Sequence, residues 1–368
     1  MHKYFVIAGE ASGDTHAAEL IKQIRLIDPN AQFIGLGGDH MVAAGCRLYQ
    51  HVRHMAFMGL AAVLRNIGQV RRNFRLAEKA LLEEKPDALI LIDYPSFNLR
   101  IAAFCRKHLP QTKIYYYIPP KVWAWKSWRV HRIARLCNEV LGIFPFEPAF
   151  YARYGYQCTY VGHPTVEEIG KDERLKVKGE GDKIIALLPG SRPNEITHCL
   201  PTMLAAARRF PDYRIVVSAA PGIEDAFYTL YLRETDILTR DTYSAVQQAS
   251  AAIVNSGTAT LETALLGCPQ VAVYYAACSG LLRWLRWAKP LVFSIPYFTP
   301  VNIIVRKEVI RECVASRFTE ANITAELQRL LTDETYKKEM LAHYEHLYTL
   351  LGTQPASVTA AKIITSRP

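Results

Sequence analysis

One arrangement suited to binding phosphate occurs twice in this chain of 368 residues. The apolar run at 4–7 breaks into a Gly/Ser-containing turn at 9–14 and passes into an amphipathic helix. A second apolar run at 184–188 breaks into a similar turn at 189–192 and again passes into a helix. A buried strand that feeds such a turn presents free backbone N–H groups and the positive end of a helix dipole to an anion. The repeat therefore predicts two nucleotide-type domains in an enzyme that handles an activated, phosphorylated substrate.

The turn in the second half has the residue types needed to bind a nucleotide sugar. Arg192 follows Gly190 and Ser191 at a helix start, and a guanidinium with backbone N–H groups can stabilise the growing charge on a diphosphate leaving group. Another strand, turn and helix follow at 251–262, where Glu262 lies one helical turn in and can accept hydrogen bonds from ribose hydroxyls. The nucleotide-sugar-binding candidates are Gly190, Ser191, Arg192, Asn255, Ser256, Gly257, Thr258 and Glu262.

Asp93 is the candidate catalytic base. It ends a continuously apolar run at 87–93, which is typical of a parallel strand covered on both faces. Ligands of open parallel sheets bind at the carboxyl ends of the strands, so this carboxylate is placed to accept a proton from an attacking hydroxyl. The alternative is that Asp93 caps the helix that follows and that Asn98 is only a turn residue.

An aromatic and basic segment at 115–135 is the candidate wall for a sugar or an acyl group. Three Trp residues stand within six positions after a double proline, and arginines then recur at helical spacing. A core loop with a solvated basic face is the alternative. For the turn at 9–14 the alternative is an ordinary strand–helix turn that is capped by Ser12 or Asp14. The candidates for sugar or acceptor binding are Glu10, Ser12, Gly13, Asp14, Asn98, Trp125 and Arg129.

Two apolar segments with adjacent cations are candidates for contact with a membrane surface. The uncharged stretch at 55–64 is followed by arginines, and the stretch at 281–289 alternates aromatic and cationic residues. Both suit a helix that lies on anionic lipid. A core helix is the alternative for the first stretch and a dimer contact for the second. The membrane-facing candidates are Met55, Phe57, Met58, Leu60, Leu64, Arg65, Arg71 and Arg72.

Composition favours a cytosolic globular enzyme with an anionic partner. Half of the residues are hydrophobic, yet no run approaches the ~18 apolar residues that a membrane span needs. The net charge is +10, and because the cations stand beside apolar residues it favours a membrane surface over nucleic acid. Eight scattered cysteines without a C-x-x-C pair are typical of reduced thiols. The histidines show no metal-site spacing and no Asp-x-Asp occurs, so we expect neither a metal nor a cofactor.

Apolar runs alternate with helical patterns in both halves, which predicts an α/β fold with two doubly wound domains. A polar stretch at 164–182 marks the boundary between them. We predict an acceptor-binding, membrane-facing domain at 1–168, a nucleotide-sugar-binding domain at 169–345, and a helical tail at 346–368 that is able to cross back. The predicted strands are 3–8, 32–37, 87–93, 113–118, 139–145, 158–162, 183–188, 214–218, 236–239, 251–255 and 270–275.

Together these motifs resemble the lipid-A-disaccharide synthase family, which has the two-domain B-type glycosyltransferase (GT-B) fold with the domains facing across a cleft. The matching segments run in family order from residue 9 to residue 262. They are GEASGD at 9–14, FMG at 57–59, the ends of IDYPSFN at 92–98, VWAW at 122–125, FPFE at 144–147, VGHP at 161–164, LLPGSR at 187–192, and SGT at 256–258 with Glu262.

The resemblance implies transfer of 2,3-diacylglucosamine from its UDP derivative to 2,3-diacylglucosamine 1-phosphate. The products are UDP and the β-1,6-linked lipid A disaccharide 1-phosphate. Members of the family invert the anomeric centre, need no metal and work on the cytoplasmic face of the inner membrane. By position, Asp93 is then the base for the acceptor 6-hydroxyl, and the family's interfacial patch falls on 55–75.

The same resemblance implies roles for the two turns. Arg192 with Gly190 and Ser191 would hold the diphosphate, and the segment from Asn255 to Thr258 with Glu262 would hold UDP. The first-half turn, with Glu10 and the Ser12-Gly13-Asp14 segment, would line the sugar site.

The chain departs from the family pattern near the candidate base. Lys121, after Pro119 and Pro120, stands where a Ser or Gln is frequent, and Ser96 stands where an Asp is frequent; the loop at 290–305 is longer than usual. The alternatives to the glycosyltransferase are a UDP-N-acetylglucosamine 2-epimerase, another GT-B transferase that uses a lipid-linked precursor, and a non-enzymatic membrane-binding protein gated by a nucleotide sugar. A homodimer stays an open alternative to a monomer.

Overall fold

Two parallel sheets organise the chain, one in each half. The structure is a computed structural model and describes residues 2–55, 67–124, 126–171, 183–275 and 296–366. The chain divides into two compact units, residues 1–164 with 353–368, and residues 165–352. The sequence places these divisions after 168 and after 345.

The first unit contains a seven-stranded sheet whose central strands are buried on both faces. Its strands are β1 (Lys3–Ala8), β2 (Gln32–Gly37), β3 (Arg47–His51), β4 (Ala88–Ile92), β5 (Lys113–Tyr117), β6 (Glu139–Gly142) and β7 (Thr159–Tyr160). They pair in parallel in the order β3-β2-β1-β4-β5-β6-β7. All five residues of β4 are buried, because helices cover both faces of a doubly wound sheet. The helices are α1 (Ala11–Ile27), α2 (Asp39–Ala43), α3 (Ile67–Glu84), α4 (Pro95–His108), α5 (Arg129–Leu136) and α6 (Glu147–Ala152).

The second unit repeats this plan with six parallel strands. They are β8 (Ile184–Leu188), β9 (Arg214–Ser218), β10 (Ile237–Thr239), β11 (Ala251–Asn255), β12 (Gln270–Tyr274) and β13 (Arg311–Val314). Their order is β10-β9-β8-β11-β12-β13. The described helices are α7 (Pro164–Lys171), α8 (Pro193–Ala207), α9 (Asp225–Thr229), α10 (Thr242–Gln248), α11 (Thr258–Leu265), α12 (Pro300–Val305), α13 (Glu320–Thr332) and α14 (Glu334–Leu351). The predicted class, two doubly wound α/β domains, is confirmed.

The strand order reverses once in each sheet, between β1 and β4 and between β8 and β11. Ala8 pairs with Ile92 in the first sheet, and Leu188 pairs with Val254 in the second. Chain segments that leave the two strands at such a switch point diverge to opposite faces of the sheet and open a crevice at its carboxyl edge. The fold therefore marks one site in each unit, directly after these strand pairs.

The chain ends in helix α15 (Ala356–Ser366), which belongs to the first unit and packs against α1. The return is close, because a Cβ added to Gly162 would lie 2.2 Å from the carbonyl oxygen of Gln354. This crossing back is the one that the sequence predicts for the tail. In the described part of the chain, no helix has the length and apolar character required to cross a membrane.

Candidate active site

Asp93 follows β4 in a backbone conformation that residues with a side chain seldom adopt. Its φ is 44° and that of Tyr94 is 46°, so two consecutive non-glycine residues are left-handed. The carbonyl oxygen of Asp93 accepts hydrogen bonds from the Tyr116 hydroxyl and from Asn98 Nδ2, both at 2.7 Å. Such strain costs on the order of 1–3 kcal/mol per residue and persists only where surrounding contacts hold it. The turn is therefore locked, and strain of this kind is typical of functional sites.

The Tyr94 ring joins this turn to the turn that follows β1. A Cβ added to Gly9 would lie 2.2 Å from the ring, so the ring lies directly on the Gly9 backbone. The Tyr94 hydroxyl donates a hydrogen bond to the carbonyl oxygen of Met55 at 2.7 Å. Glycine at position 9 is therefore a packing requirement of the Asp93 turn.

The charge environment of Asp93 suits a base. The residue is half-buried, and burial raises the pKa of its carboxyl group, while the Lys121 charge and a hydrogen bond from the Tyr94 backbone oppose that change. A carboxylate whose pKa is raised holds a transferred proton more firmly than one in open water. Asp93 can thus accept a proton from a hydroxyl that is placed against it.

A buried glutamate lies near Lys121. Glu147 is 1% exposed and accepts hydrogen bonds from Trp123 Nε1 at 3.1 Å and from the Phe144 backbone N–H at 2.9 Å. Burial raises the pKa of Glu147 to about 7, against these hydrogen bonds and the Lys121 charge. His163, whose ring lies 5.4 Å from that of Phe144, has its pKa lowered to about 3 by burial and is neutral. The sequence assigns no site role to Tyr94 or Glu147, whereas His163, between Gly162 and Pro164, is a candidate hinge or site residue with a purely structural role as the alternative.

The turn after β1 gives its two acidic residues different environments. Glu10 is the N-cap residue of α1 without a side-chain cap bond, and its charge contributes to the raised pKa of Tyr94, which places it near that ring. Asp14 is 3% exposed and accepts hydrogen bonds from three backbone N–H groups of the β2–α2 turn, at 2.7–3.1 Å. Its carboxylate therefore caps α2, whereas the capping alternative from the sequence concerns α1, the helix that directly follows the turn. Ser12 is exposed in the first turn of α1, and Gly13 is buried.

The remaining first-unit candidates differ in accessibility. Asn98 is fully buried. Its side-chain amide donates hydrogen bonds to the carbonyl oxygens of Asp93 and, at 3.1 Å, of Ile92. Asn98 therefore supports the Asp93 turn and does not face a ligand. Arg129 begins α5, with its guanidinium 5.7 Å from the Trp128 ring. Trp125 lies outside the described residues.

In the second unit the turns after β8 and β11 come together at Gly190. Its φ is +120°, and an added Cβ would lie 2.6 Å from both Asn255 Nδ2 and Glu195 Oε2. Only glycine fits there, because the position is strained for a side chain and has no room for one. The two segments that the sequence assigns to one nucleotide site are therefore neighbours.

Glu195 occupies donors that the sequence analysis expected to be free for phosphate. Its carboxylate accepts hydrogen bonds from the Ser191 backbone N–H at 3.0 Å and from Arg192 at 3.1 Å. The Arg192 side chain is still 54% exposed. A diphosphate bound at this turn would take the place of the Glu195 carboxylate, because its oxygens can accept the same hydrogen bonds from Ser191 and Arg192.

The β11 side of this site is partly open. Gly257 is the N-cap residue of α11 with no side-chain cap bond, and Thr258 is exposed. The Ser256 N–H donates instead to the carbonyl oxygen of Val273 at 2.7 Å, so it belongs to the sheet. Burial, followed by the charge of Glu168, raises the pKa of Glu262 to about 7.

The membrane-facing candidates require one correction. Met55 is 1% exposed and lies in the core of the first unit, because its backbone is tied to Tyr94 and its side chain packs inward, so it does not face a membrane. Arg71 and Arg72 are exposed on α3. The candidates that lie outside the described residues are Phe57, Met58, Leu60, Leu64 and Arg65.

A cavity of about 340 Å³ in the second unit is lined by none of these candidates. Three arginines line it, but Arg311 and Arg329 each pair with a glutamate, at 3.3 and 3.6 Å. Across the described ranges, no cluster of three or more His, Cys, Asp or Glu side chains has the arrangement of a metal site.

Two doubly wound α/β units in one chain are the architecture of the GT-B fold. Solved structures of this fold align over nearly the whole chain. A glycosyltransferase of kitacinnamycin matches with a TM-score of 0.66 and 12% identity, covering 100% of this chain and 99% of its own. A structure described as a putative UDP-N-acetylglucosamine 2-epimerase from Listeria monocytogenes matches with a TM-score of 0.62 and 12% identity, covering 99% of this chain and 95% of its own. At such identity these likenesses show the fold alone.

Sequence comparison identifies the family. The family model described as lipid-A-disaccharide synthetase matches residues 4–364. A lipid-A-disaccharide synthase of Geobacter sulfurreducens is 34% identical over 99% of this chain and 96% of its own length. One of Myxococcus xanthus is 35% identical over 98% and 96%. The chain belongs to the lipid-A-disaccharide synthetase family, as the motifs of the sequence predict.

Proposed function

We propose that the chain is an inverting glycosyltransferase that moves 2,3-diacylglucosamine from UDP-2,3-diacylglucosamine to 2,3-diacylglucosamine 1-phosphate. The products are the β-1,6-linked disaccharide 1-phosphate and UDP. Family membership supports the reaction and its substrate class. The observation that carries the mechanism is the locked, half-buried Asp93 at the switch point of the first sheet.

Asp93 takes the proton of the acceptor 6-hydroxyl as the oxygen attacks C1 of the donor sugar. The O6–C1 bond forms while the bond from C1 to the diphosphate oxygen breaks, and that electron pair leaves with UDP. Attack from the face opposite the leaving group inverts the anomeric centre. The raised pKa of Asp93 supports this role, because a base is more effective when its proton affinity is closer to the working pH.

The second unit holds the donor in this proposal. The diphosphate takes the place of the Glu195 carboxylate at the Ser191 N–H and the Arg192 guanidinium, where developing charge is stabilised as UDP departs. Gly190 lets the backbone approach closely, and Glu262 accepts hydrogen bonds from the ribose. Four other proposed nucleotide contacts come from the β11 turn: Asn255, Ser256, Gly257 and Thr258.

The first unit binds the sugars of the acceptor side. Glu10 and the exposed Ser12 stand at the β1 turn, next to the Asp93 turn, and Arg129 supplies a cation for the acceptor phosphate. Trp125 is the proposed apolar wall. Asn98 acts through the backbone of Asp93, which makes it a positioning residue.

We also propose that the protein binds peripherally to the cytoplasmic face of the inner membrane, where both lipid substrates are embedded. The exposed arginines of α3, including Arg71 and Arg72, would meet anionic headgroups. Flotation with vesicles that contain anionic lipid, compared with neutral vesicles, tests this attachment. Light scattering of the purified protein tests whether it forms a homodimer.

The reaction is tested by product analysis. The purified protein is mixed with both diacylated substrates in detergent micelles, and we expect a disaccharide 1-phosphate with one equivalent of UDP by mass spectrometry. Folded protein that makes no disaccharide would refute the proposal. Turnover of water-soluble UDP-N-acetylglucosamine without an acceptor would indicate an epimerase instead, and binding of donor without any product would indicate a non-enzymatic protein.

A further inference from the structure

The loop that follows β5 is fixed against both neighbouring strands. Ile118 is left-handed, with a φ of 58°. Its N–H donates to the carbonyl oxygen of Leu141 and its carbonyl accepts from the Asp93 N–H, both at 3.2 Å. The loop that carries Lys121 is therefore tied by the backbone to the residue proposed as the base.

Glu147 fixes the far side of the same loop. It holds the indole of Trp123 and the backbone of Phe144, and a Cβ added to Gly142 would lie 2.6 Å from its Oε2. Trp123 and its neighbour Val122 are buried. Lys121 stands before these two anchored residues and keeps its own side chain open to solvent. The ammonium group is thus presented by a rigid loop.

Lys121 lies in the field of two carboxylates. Asp93 and Glu147 both favour its charged form, and Nζ lies 5.9 Å from the centre of the Phe144 ring. Desolvation by the surrounding protein lowers the pKa of Lys121, and the charges of the two carboxylates oppose that change.

We propose that Lys121 is a positioning residue for the transfer reaction, and that its charge keeps Asp93 in the carboxylate form that accepts the acceptor proton. The inference rests on the proposed function of Asp93. Burial raises the pKa of the Asp93 carboxyl group and so favours its protonated form, whereas the opposite charge of Lys121 lowers this pKa and favours the carboxylate. Lys121 therefore offsets the cost of placing a base in a half-buried turn.

Other titratable groups face this cluster, and their charges do not supply the same effect. Tyr116 is neutral, because burial raises its pKa well above 10, and His163 is neutral because burial lowers its pKa. Glu10 acts on Tyr94 and carries the sign opposite to Lys121. The titratable groups around Asp93 and Lys121 include Glu10, His16, Tyr94, Tyr116, Glu147 and His163.

The test is the pH dependence of kcat/KM for the disaccharide-forming reaction, measured for the full chain and its Lys121 variants. In the unsubstituted protein, kcat/KM should fall at acidic pH as Asp93 becomes protonated, and this decline is the acidic limb of the pH profile. Lys121→Met should move the midpoint of the acidic limb to higher pH by roughly one unit or more. At pH values below the midpoint its kcat/KM should therefore be about tenfold lower than that of the unsubstituted protein, and at high pH the two should become similar. Lys121→Arg keeps the charge and should restore the original limb. Lys113→Met removes an exposed lysine from the amino end of β5 and should leave the limb in place.

Two outcomes would overturn the inference. An equal loss of activity at every pH would mean that Lys121 only supports the loop, and a higher KM for the acceptor with an unmoved limb would mean that it binds the acceptor phosphate. The failure of the proposed function is distinguishable, because in that case the unsubstituted chain makes no disaccharide, or Asp93→Asn leaves turnover intact.

Discussion

The two switch points of the molecule meet the same topological demand with different chemistry. In the first unit, Asp93 and Tyr94 adopt left-handed conformations although both carry side chains, and hydrogen bonds from Tyr116 and Asn98 hold them there. In the second unit the left-handed position is Gly190, and the adjacent donors are backbone N–H groups and an exposed guanidinium. A site that must aim one side chain accepts backbone strain, whereas a site that must present its backbone to an anion uses glycine.

The units differ in their charges as well. The first places Asp93, Lys121 and Glu147 around one turn and shifts the pKa of each. At the second, Glu195 already satisfies Ser191 and Arg192 in the way that a phosphate would. In the proposed reaction the first site moves a proton and the second exchanges one anion for another, and we expect each of the following variants to affect only one of the two.

The largest effect is expected from Asp93→Asn. The amide fits the same turn but cannot accept a proton, so kcat should fall at least ~100-fold while binding of UDP, measured by calorimetry, stays unchanged. Asp87→Asn is the matched control at the amino end of β4, where that carboxylate only accepts a hydrogen bond from the Lys3 N–H at 2.7 Å. Loss of UDP binding in Asp93→Asn would show that the two sites are not separable in this way.

Gly9→Ala should act on the first site through packing alone. The new methyl group would lie 2.2 Å from the Tyr94 ring, so the ring and the Asp93 turn must move. A misplacement of about 1 Å can cost roughly 100-fold in rate, and we expect kcat to fall about 10- to 100-fold with an unchanged KM for the donor. Gly68→Ala on α3, which has no atom within 4 Å of its added Cβ, should leave both constants in place. A raised donor KM in Gly9→Ala would contradict the assignment.

Gly190→Ala should produce the opposite kinetic pattern. Strain at a φ of +120° and collision with Asn255 would open the nucleotide turn, so the KM for the UDP donor should rise about tenfold, with a smaller change in kcat. Gly222→Ala is the control for strain alone, since Gly222 has a φ of +80° and open space around it. Equal effects of the two substitutions on donor KM would mean that the neighbours of Gly190 are irrelevant.

A pH-dependent difference in stability is expected from Glu147→Gln. The pKa of Glu147 is raised from 4.5 to about 7 by burial, so the fold favours the protonated form. The contribution of Glu147 to the free energy of unfolding is therefore fully present below pH 4.5. It is lost as the pH rises through about 7, by up to about 3 kcal/mol. Glutamine stays neutral, and its variant should lack this decline when urea unfolding of the first unit is measured from pH 4.5 to 7.5.

The titration of His163 makes the free energy of unfolding rise with pH. This effect is the same in the unsubstituted protein and in Glu147→Gln, so it cancels when the two are compared. The pKa of His163 is lowered to about 3, which means that its stabilising contribution is lost as the pH falls below about 6.5. Parallel stability curves for the two proteins would show that the pKa of Glu147 is the same in the folded and the unfolded protein.

The sequence predicts every central strand and the edge strands Thr159–Tyr160 and Ile237–Thr239, but it does not predict the other two edge strands. Runs such as 88–92 and 251–254 are apolar throughout, because strands in the middle of a parallel sheet are buried on both faces. The strands Arg47–His51 and Arg311–Val314 lie at the edges of their sheets, where partly exposed positions break the apolar signal.

The positions of the site residues follow the same division. Asp93, Gly190 and Asn255 end or follow buried strands, so the rule that ligands bind at the carboxyl ends of strands locates them. The cap that Asp14 provides to α2, the inward packing of Met55 and the carboxylate of Glu147 depend on contacts across 24 or more residues. Such contacts leave no local spacing in the sequence that could predict them.

The smallest effect is expected from Glu195→Gln, and its sign decides what the second switch point is built to do. The amide oxygen can still accept from the Ser191 N–H, but the charge that competes with a diphosphate is gone. Because an exposed ion pair contributes about 0–1 kcal/mol, UDP should bind up to about fivefold more tightly by calorimetry. Glu320→Gln, which removes the partner of Arg209 elsewhere in the unit, should not change UDP affinity. Weaker binding in Glu195→Gln would mean that this carboxylate shapes the turn for the nucleotide, and that the second site is as dependent on a fixed side chain as the first.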